Sequence, residues 1–366
     1  MPASLTGWRT TSLTRALGLR YPVIQGAFGG GLSTVELVAA VSEAGGLGSF
    51  GAHGLGPEEI LQTAQAIRER TRGPFALNLW VPLPGEGAEP PRSDRYAAAT
   101  ALLEPYYREL GLEPPTQSAL CESARPTFGR QLEAVLRARP PALSFIFGIP
   151  PAEALAECRR LGIVTIGTAT NLPEAEALDA AEVDVIVASG LEAGGHRSSF
   201  LRPVSEALTL GALLPQVVDK VRRPVVAAGG IADGRGVVSA LVYGAAGVQV
   251  GTAFLAAPES GASAAHRRAL VEGPRATVLT RALTGRYARG LVSRLARELA
   301  PHEAEALDYP WQNALTVPLR RAAGSAAMLD LIPFWAGQNA PLVKQRSAAE
   351  VLAFLVEDTE RVLTSS

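Results

Sequence analysis

Residues Pro224–Thr252 read PVVAAGGIADGRGVVSALVYGAAGVQVGT. Two short apolar runs, Pro224–Gly230 and Gly247–Thr252, bracket a helix-like stretch at Gly234–Gly244. This is a β–α–β unit, and its strands are near-continuous apolar runs, as parallel strands buried on both faces are. The same rhythm extends toward the N-terminus. Strands are expected at Val183–Ser189, Ile163–Ala169, Ala142–Gly148, Phe75–Val81, Leu47–Gly51 and Pro22–Phe28. Helices are expected near Val204–Val221, at Pro173–Ala180, Pro151–Leu161 and Pro57–Arg70, and at Thr34–Ala44 with Ser33 as its N-cap. Eight strands alternating with helices favour a closed barrel over an open doubly wound sheet. The expected class is therefore α/β, a (β/α)8 TIM-type barrel.

The rhythm breaks twice. Residues 83–140 form a Pro/Gly-rich opening followed by helical segments, a helical insertion after the third strand. Beyond residue 272 the alternation is lost, apart from one candidate strand at Thr277–Leu283. The expected organisation is a barrel over residues 1–272 and a mostly helical extension over 273–366. Tyr287, Tyr309, Trp311, Phe334 and Trp335 make that extension too apolar for a free linker, so it is expected to pack over the barrel mouth.

Of the 366 residues 47% are hydrophobic and 19% charged, enough for a large core. The formal net charge of -1 offers no basic excess for nucleic acid or an anionic membrane. No signal peptide or membrane span is evident, which leads to the expectation of a cytoplasmic protein. Cys121 and Cys158 form no CxxC or Cys/His pattern, and no HxH or HExxH occurs. Neither a disulfide framework nor a metal site is expected.

Candidate chemistry gathers at the C-terminal ends of the strands, where barrel active sites lie. Gly229-Gly230 and Gln249-Val250-Gly251-Thr252 follow the last two strands. Glycines there let backbone N–H groups approach a phosphate, and Thr252 adds a hydroxyl; the alternative is that they only close tight turns. Ser189-Gly190-Leu191-Glu192-Ala193-Gly194-Gly195-His196 follows the sixth strand, and His196 on that loop can titrate near neutral pH or simply bond a neighbouring loop. Glu192 reads as an acid/base partner of His196 or as a loop anchor. Gln25-Gly26-Ala27, after the first strand, can face a flat ligand. Asn78, in an otherwise apolar strand, needs a partner that is either a ligand or the backbone. His53 reads chiefly as a solvated loop residue, and His266 and His302 as surface residues.

Taken together, these stretches resemble the nitronate monooxygenase family. The resemblance runs through Tyr21–Gly26, Glu43–Gly48, the Asn78 strand, Gly190–His196, Ala228–Arg235, Gly247–Thr252 and Glu259-Ser260, with Trp335–Gln338 in the tail. It implies an FMN-binding barrel. The phosphate would sit on Gly229, Gly230 and Gln249–Thr252, with Asn78, Gly26 and Ala27 at the flavin and Gln25, Ser189 and Gly194 beside it. His196 matches the family's active-site base, which removes the α-proton of a nitroalkane. The resulting nitronate reduces the flavin, O2 reacts, and a carbonyl compound and nitrite leave. The partners implied are thus a small-molecule substrate and O2. Two departures stand out: Ser189 where the family usually has Gln, and Ser198 where it usually has Gly. The alternative reading is an FMN-dependent NAD(P)H reductase acting on an enoyl thioester or a quinone. A flavin- or nucleotide-binding module without turnover and a non-flavin barrel aldolase or isomerase are further alternatives.

Overall fold

A computed structural model describes residues 7–122, 127–273 and 276–365, with Cys121 and Glu122 described in backbone only. The buried Cys158 is a free thiol, and the Cys121 side chain lies outside the described residues. Eleven strands occur among the described residues: β1 Val23–Gln25, β2 Gly48–Gly51, β3 Phe75–Trp80, β4 Ala142–Ile146, β5 Val164–Ala169, β6 Val185–Ser189, β7 Gly195–His196, β8 Val225–Ala228, β9 Gly247–Val250, β10 Thr277–Thr280 and β11 Ala288–Leu291. Eight of them run parallel in the order β1-β9-β8-β6-β5-β4-β3-β2. A bridge between Ile24 and Leu47 closes the ring, with Gln25 N donating to Leu47 O at 2.9 Å. This is the expected (β/α)8 barrel. Among the described residues no helix is long and apolar enough to cross a membrane.

The strands alternate faces within the barrel as the pleat requires. Their N-terminal halves fill its floor with Ile24, Leu47, Ala76, Ala142, Val185 and Val226, and the short helix Ser12–Leu17 plugs that end with Leu13 and Leu17. Farther along, polar residues enter the interior: Asn78, Ser144, Thr168, Ser189 and Gln249. Packing layers below and a polar chamber above follow directly from this shift in residue type along each strand.

Within residues 83–140 the helix Phe128–Ala138 buries Leu132 and Val135 in the main core and packs against Pro57–Arg70, so it serves as the barrel's own helix after β3. The rest of that segment joins the tail. Leu103, Tyr106 and Tyr107 of helix Ser93–Glu109 share a second core with Leu283, Leu299, Leu315 and Leu319. Tyr107 donates its hydroxyl to Leu315 O at 2.6 Å.

The tail divides. Strand β11 pairs antiparallel with β10 and with β7, and helix Trp311–Ser325 follows. The last helix, Ala348–Thr364, turns back along the barrel wall between helices Gly234–Val242 and Val35–Ala44. The helix directly after β9, Thr252–Leu255, is only four residues long, and the last helix packs against it. One local expectation is corrected. Thr34, not Ser33, caps helix Val35–Ala44, its Oγ1 accepting from Leu37 N at 3.0 Å. Ser33 Oγ is engaged instead by Phe28 N and Gly51 N at 3.0 and 3.2 Å.

The last helix docks where Gly234 N donates to Asp358 Oδ2 at 2.7 Å. A Cβ on Gly234 would lie 2.3 Å from Asp358 C and Thr359 N, both main-chain atoms that cannot swing aside. Gly234→Ala should therefore cost about 1–3 kcal/mol, the usual range for overpacking. Denaturant unfolding measures it, and an unchanged midpoint would mean that the helix does not dock there.

Candidate active site

The polar chamber opens as a cavity of ≈ 620 Å³ at the C-terminal ends of the strands. That lies within the range of cofactor sites. Gly26, Ala27, Asn78, Ser189, Gly194, His196, Gly229, Gly230, Gln249, Gly251 and Thr252 all line it. Gln25 does not. It is wholly buried, where Ser49 N donates to its Oε1 at 2.9 Å and its Nε2 donates to Gly26 O. It braces the Gly26 loop from below. The roof comes from the tail: Thr284, Tyr309, Asn313, Arg320, Trp335 and Asn339.

His196 lies in β7, two residues long, which exists because β11 lies beside it with Ala288 opposite His196. Its Nε2 lies 3.0 Å from Thr284 Oγ1. Trp80 meets the imidazole edge-on at 4.9 Å between centroids, and Trp335 flanks it at 5.5 Å. Burial is the main reason its pKa falls to about 3, and repulsion from His53 where that ring is protonated, and from Arg286 and Arg320, pushes the same way. At neutral pH the ring is thus uncharged and keeps a lone pair.

His53 is not a solvated loop residue. It stacks on Trp80 at 3.8 Å with the planes 6° apart, and burial lowers its pKa to about 4. A Cβ on Gly29 would fall 2.1 Å from His53 Cε1, so the glycine-rich first loop is shaped to this ring. His302 is exposed as expected, whereas His266 is buried, stacked on Phe334 and bonded through Nε2 to Trp335 O at 3.1 Å. Its helix lies beneath the Trp335 segment, a long-range packing that local sequence does not reveal.

Arg286 lies 3.7 Å over the Phe147 ring and pairs with the Glu86 carboxylate. Arg320 differs. It donates to Asn313 Oδ1 at 2.7 Å and to Thr316 O at 3.3 Å, and among the described residues no carboxylate lies within 4.0 Å of it. Burial lowers its pKa to about 10, so it stays cationic at neutral pH. No Asp or Glu among the described residues lines the cavity. A desolvated cation facing such a cavity favours an anionic guest.

Glu192 is an anchor. Its carboxylate oxygens accept from Leu210 N at 3.0 and 2.9 Å, capping helix Leu210–Lys220, and its carbonyl accepts from Gln338 N at 2.9 Å. The Trp335–Gln338 segment presses on the same loop, because a Cβ on Gly194 would meet Ala336 C at 2.5 Å. Gly337 N donates to Thr252 Oγ1 at 2.9 Å. Arg197, buried beneath the loop, donates to Ser189 O at 2.7 Å and Gly190 O at 2.6 Å. Sequence reasoning missed Trp80, although it shares a face with Asn78 two residues earlier. Thr284, Asn313 and Arg320 carry no local signal, whereas Tyr309 and Trp335 are among the tail aromatics expected over the mouth.

A barrel with such a chamber at the C-terminal ends of its strands defines a small-molecule enzyme, and comparison with known proteins places it. The nitronate monooxygenase family profile matches residues 10–358. A probable nitronate monooxygenase of Staphylococcus aureus (strain Newman) is 37% identical over 359 residues, 97% of this chain and 99% of that one. Nitroalkane oxidase from Streptomyces ansochromogenes superposes with a TM-score of 0.88 at 35% identity, covering 96% of this chain and 99% of that one. FabK from Thermotoga maritima superposes with a TM-score of 0.75 at 26% identity, covering 97% and 98%. The chain belongs to the nitronate monooxygenase family and is a flavin-dependent oxidoreductase.

The two roles considered for Glu192 separate by experiment. Glu192→Ala should lower stability by about 1–2 kcal/mol through the lost helix cap. Glu192→Gln keeps an acceptor and should stay within about 0.5 kcal/mol, with an unaltered pH–rate profile. A shifted profile in the Gln variant would make Glu192 part of the proton chemistry.

Proposed function

We propose that the chain oxidises alkyl nitronates, and nitroalkanes that it first deprotonates, with FMN and O2, releasing a carbonyl compound and nitrite. The observation that carries this reading is the pairing of a neutral, lone-pair-bearing His196 with a cavity that holds Arg320 and no lining carboxylate among the described residues. Such a pair suits a substrate that loses a proton and becomes an anion. The membership of the family and the likeness to a nitroalkane oxidase support the same substrate class. As a cytoplasmic enzyme it would need only a small molecule and O2.

The lining suits a flavin mononucleotide. Gly229 and Gly230 adopt φ of 113° and 67°, conformations that L side chains rarely take, and among the described residues neither N–H donates to a protein acceptor. With Gly251 and Thr252 they would hold the phosphate. Asn78 donates Nδ2 to Ser144 Oγ at 3.0 Å, which leaves its amide oxygen for a ligand N–H. Gly26, Ala27, Ser189, Gly194 and Gln249 would border the ring system, with Gln25 supporting from behind. When bound, the flavin supplies a two-electron acceptor for the nitronate and a donor to O2. Residues 1–272 would be the cofactor domain, interrupted by 83–140, and part of 273–366 its roof, keeping bulk water away.

His196 takes the α-proton of a neutral nitroalkane and becomes imidazolium, while the electron pair stays on the nitronate. Arg320, held by Asn313, pairs with the anion. Trp80 and Trp335 both pack against the imidazole and limit its movement.

Anaerobic mixing decides the reaction class: an alkyl nitronate should bleach the flavin absorbance and NAD(P)H should not, the reverse favouring a reductase. His196→Ala should slow neutral nitroalkanes by about 10²–10⁴-fold, the usual contribution of a general base, and preformed nitronates less. Equal losses on both forms would make His196 an anion holder. Because its pKa lies near 3, the base is ready at any higher pH. The kcat/KM profile for a neutral nitroalkane should then lack an acid limb near pH 6.5, and such a limb would contradict the assigned environment. Arg320→Gln should raise KM for nitronates by about 10–100-fold, as losing a charged hydrogen bond does. Unchanged nitronate kinetics would remove Arg320 from substrate binding.

A further inference from the structure

The hairpin of β10 and β11 holds His196 twice. Its second strand holds the backbone, with Ala288 opposite His196, Arg289 opposite Gly195, and Arg197 N donating to Tyr287 O at 2.8 Å. Its turn carries Thr284, 88 residues away in sequence, to 3.0 Å from His196 Nε2. Thr284 is buried, only 2% exposed, and its hydroxyl is fully engaged. Oγ1 donates to Arg286 O at 3.0 Å and lies 3.4 Å from Arg286 N, which donates to it.

A threonine hydroxyl has one proton and two lone pairs. The proton goes to Arg286 O, which has no other donor among the described residues. Turning it toward His196 would leave that buried carbonyl unpaired, a costly exchange. The contact at Nε2 is therefore made by a ring N–H that donates to Thr284 Oγ1. A neutral imidazole carries one proton, so the lone pair is on Nδ1. Among the described residues Nδ1 has no hydrogen-bond partner, and the ring lines the cavity.

The geometry assigns Thr284 as a positioning residue that fixes the Nε2–H tautomer of His196 and so makes Nδ1 the proton-accepting atom. The catalytic meaning of this rests on the reaction proposed above; the tautomer itself does not. Such selection by a second group is how histidine bases are commonly oriented. Here the group is a neutral hydroxyl, which fixes the tautomer without adding the negative charge of a carboxylate to an anion-binding cavity.

The test is long-range ¹H–¹⁵N correlation NMR on histidine-labelled protein at neutral pH, with the His196 signals identified by their absence from His196→Asn. The wild type should show a protonated Nε2 and an imine-type Nδ1, and Thr284→Ser should keep that pattern. Thr284→Val should lose it, giving a mixed or inverted tautomer. Its turnover of a neutral nitroalkane should fall about tenfold, the worth of one hydrogen bond, while preformed nitronate is still oxidised. A wild-type spectrum with Nδ1 protonated would overturn the assignment without any variant, and so would a Val variant that folds and keeps both tautomer and rate. An Nε2–H spectrum in a protein that oxidises no nitro compound would remove the reaction and keep the tautomer. A reversed spectrum in an active enzyme would do the opposite.

Discussion

The antiparallel pairing of β11 with the two residues of β7 is the constraint on which the site depends. A loop of Gly190–Gly195 has little structure of its own, since glycine gains the most freedom when released. Here it is clamped from both sides. Glu192 and Arg197 tie it to the barrel, and β11 and the Trp335–Gln338 segment tie it to the tail. The aromatic contacts to His196 are made only when both halves are in place, because Trp80 belongs to the barrel and Trp335 to the extension. The insertion after β3 secures the extension through the second hydrophobic core. The barrel supplies the chamber and the additions supply its order.

The barrel was legible because its signals are local. Eight apolar runs separated by helix starts and glycine turns predict eight strands, and the observed bounds differ by only a few residues. Glycines at 229 and 230 and a histidine after the sixth strand were legible for the same reason. What escaped was non-local. β7 is two residues long and has no propensity of its own; only its partner, some ninety residues later, makes it a strand. Thr284 and Arg320 lie in the extension, where neither spacing nor composition marks them. His266 was misplaced because the segment that buries it arrives late in the chain, and Ser33 because two equally good caps stood side by side and its hydroxyl had a tertiary use.

Burial sets the electrostatics more than pairwise charge does. It is the first cause of the low pKa values of His53 and His196 and of the lowered values of Arg320 and Arg286. The chain resolves the cost differently at each place. The histidines shed their protons. Arg286 takes Glu86 as its counter-ion and lies against three aromatic rings. Arg320 keeps its charge with, among the described residues, only neutral acceptors. A buried charge without a counter-ion is destabilising, and it persists where a guest anion can supply the missing partner.

Ser189 and Ser198 stand on either side of Arg197 in the sequence, and its guanidinium is buried. Arg197 is only 3% exposed and donates to the carbonyls of Ser189 and Gly190 and, at 3.3 Å, to Ser189 Oγ. A guanidinium is planar and always charged, and it can satisfy several oxygens at once. It therefore fixes the path of the loop from within. Ser189 still lines the cavity, yet its hydroxyl already faces a donor. Beyond that contact it keeps its proton and a second lone pair toward the cavity. Held at Ser189 and Gly190 by the same side chain, the loop that leads to His196 starts from a fixed point.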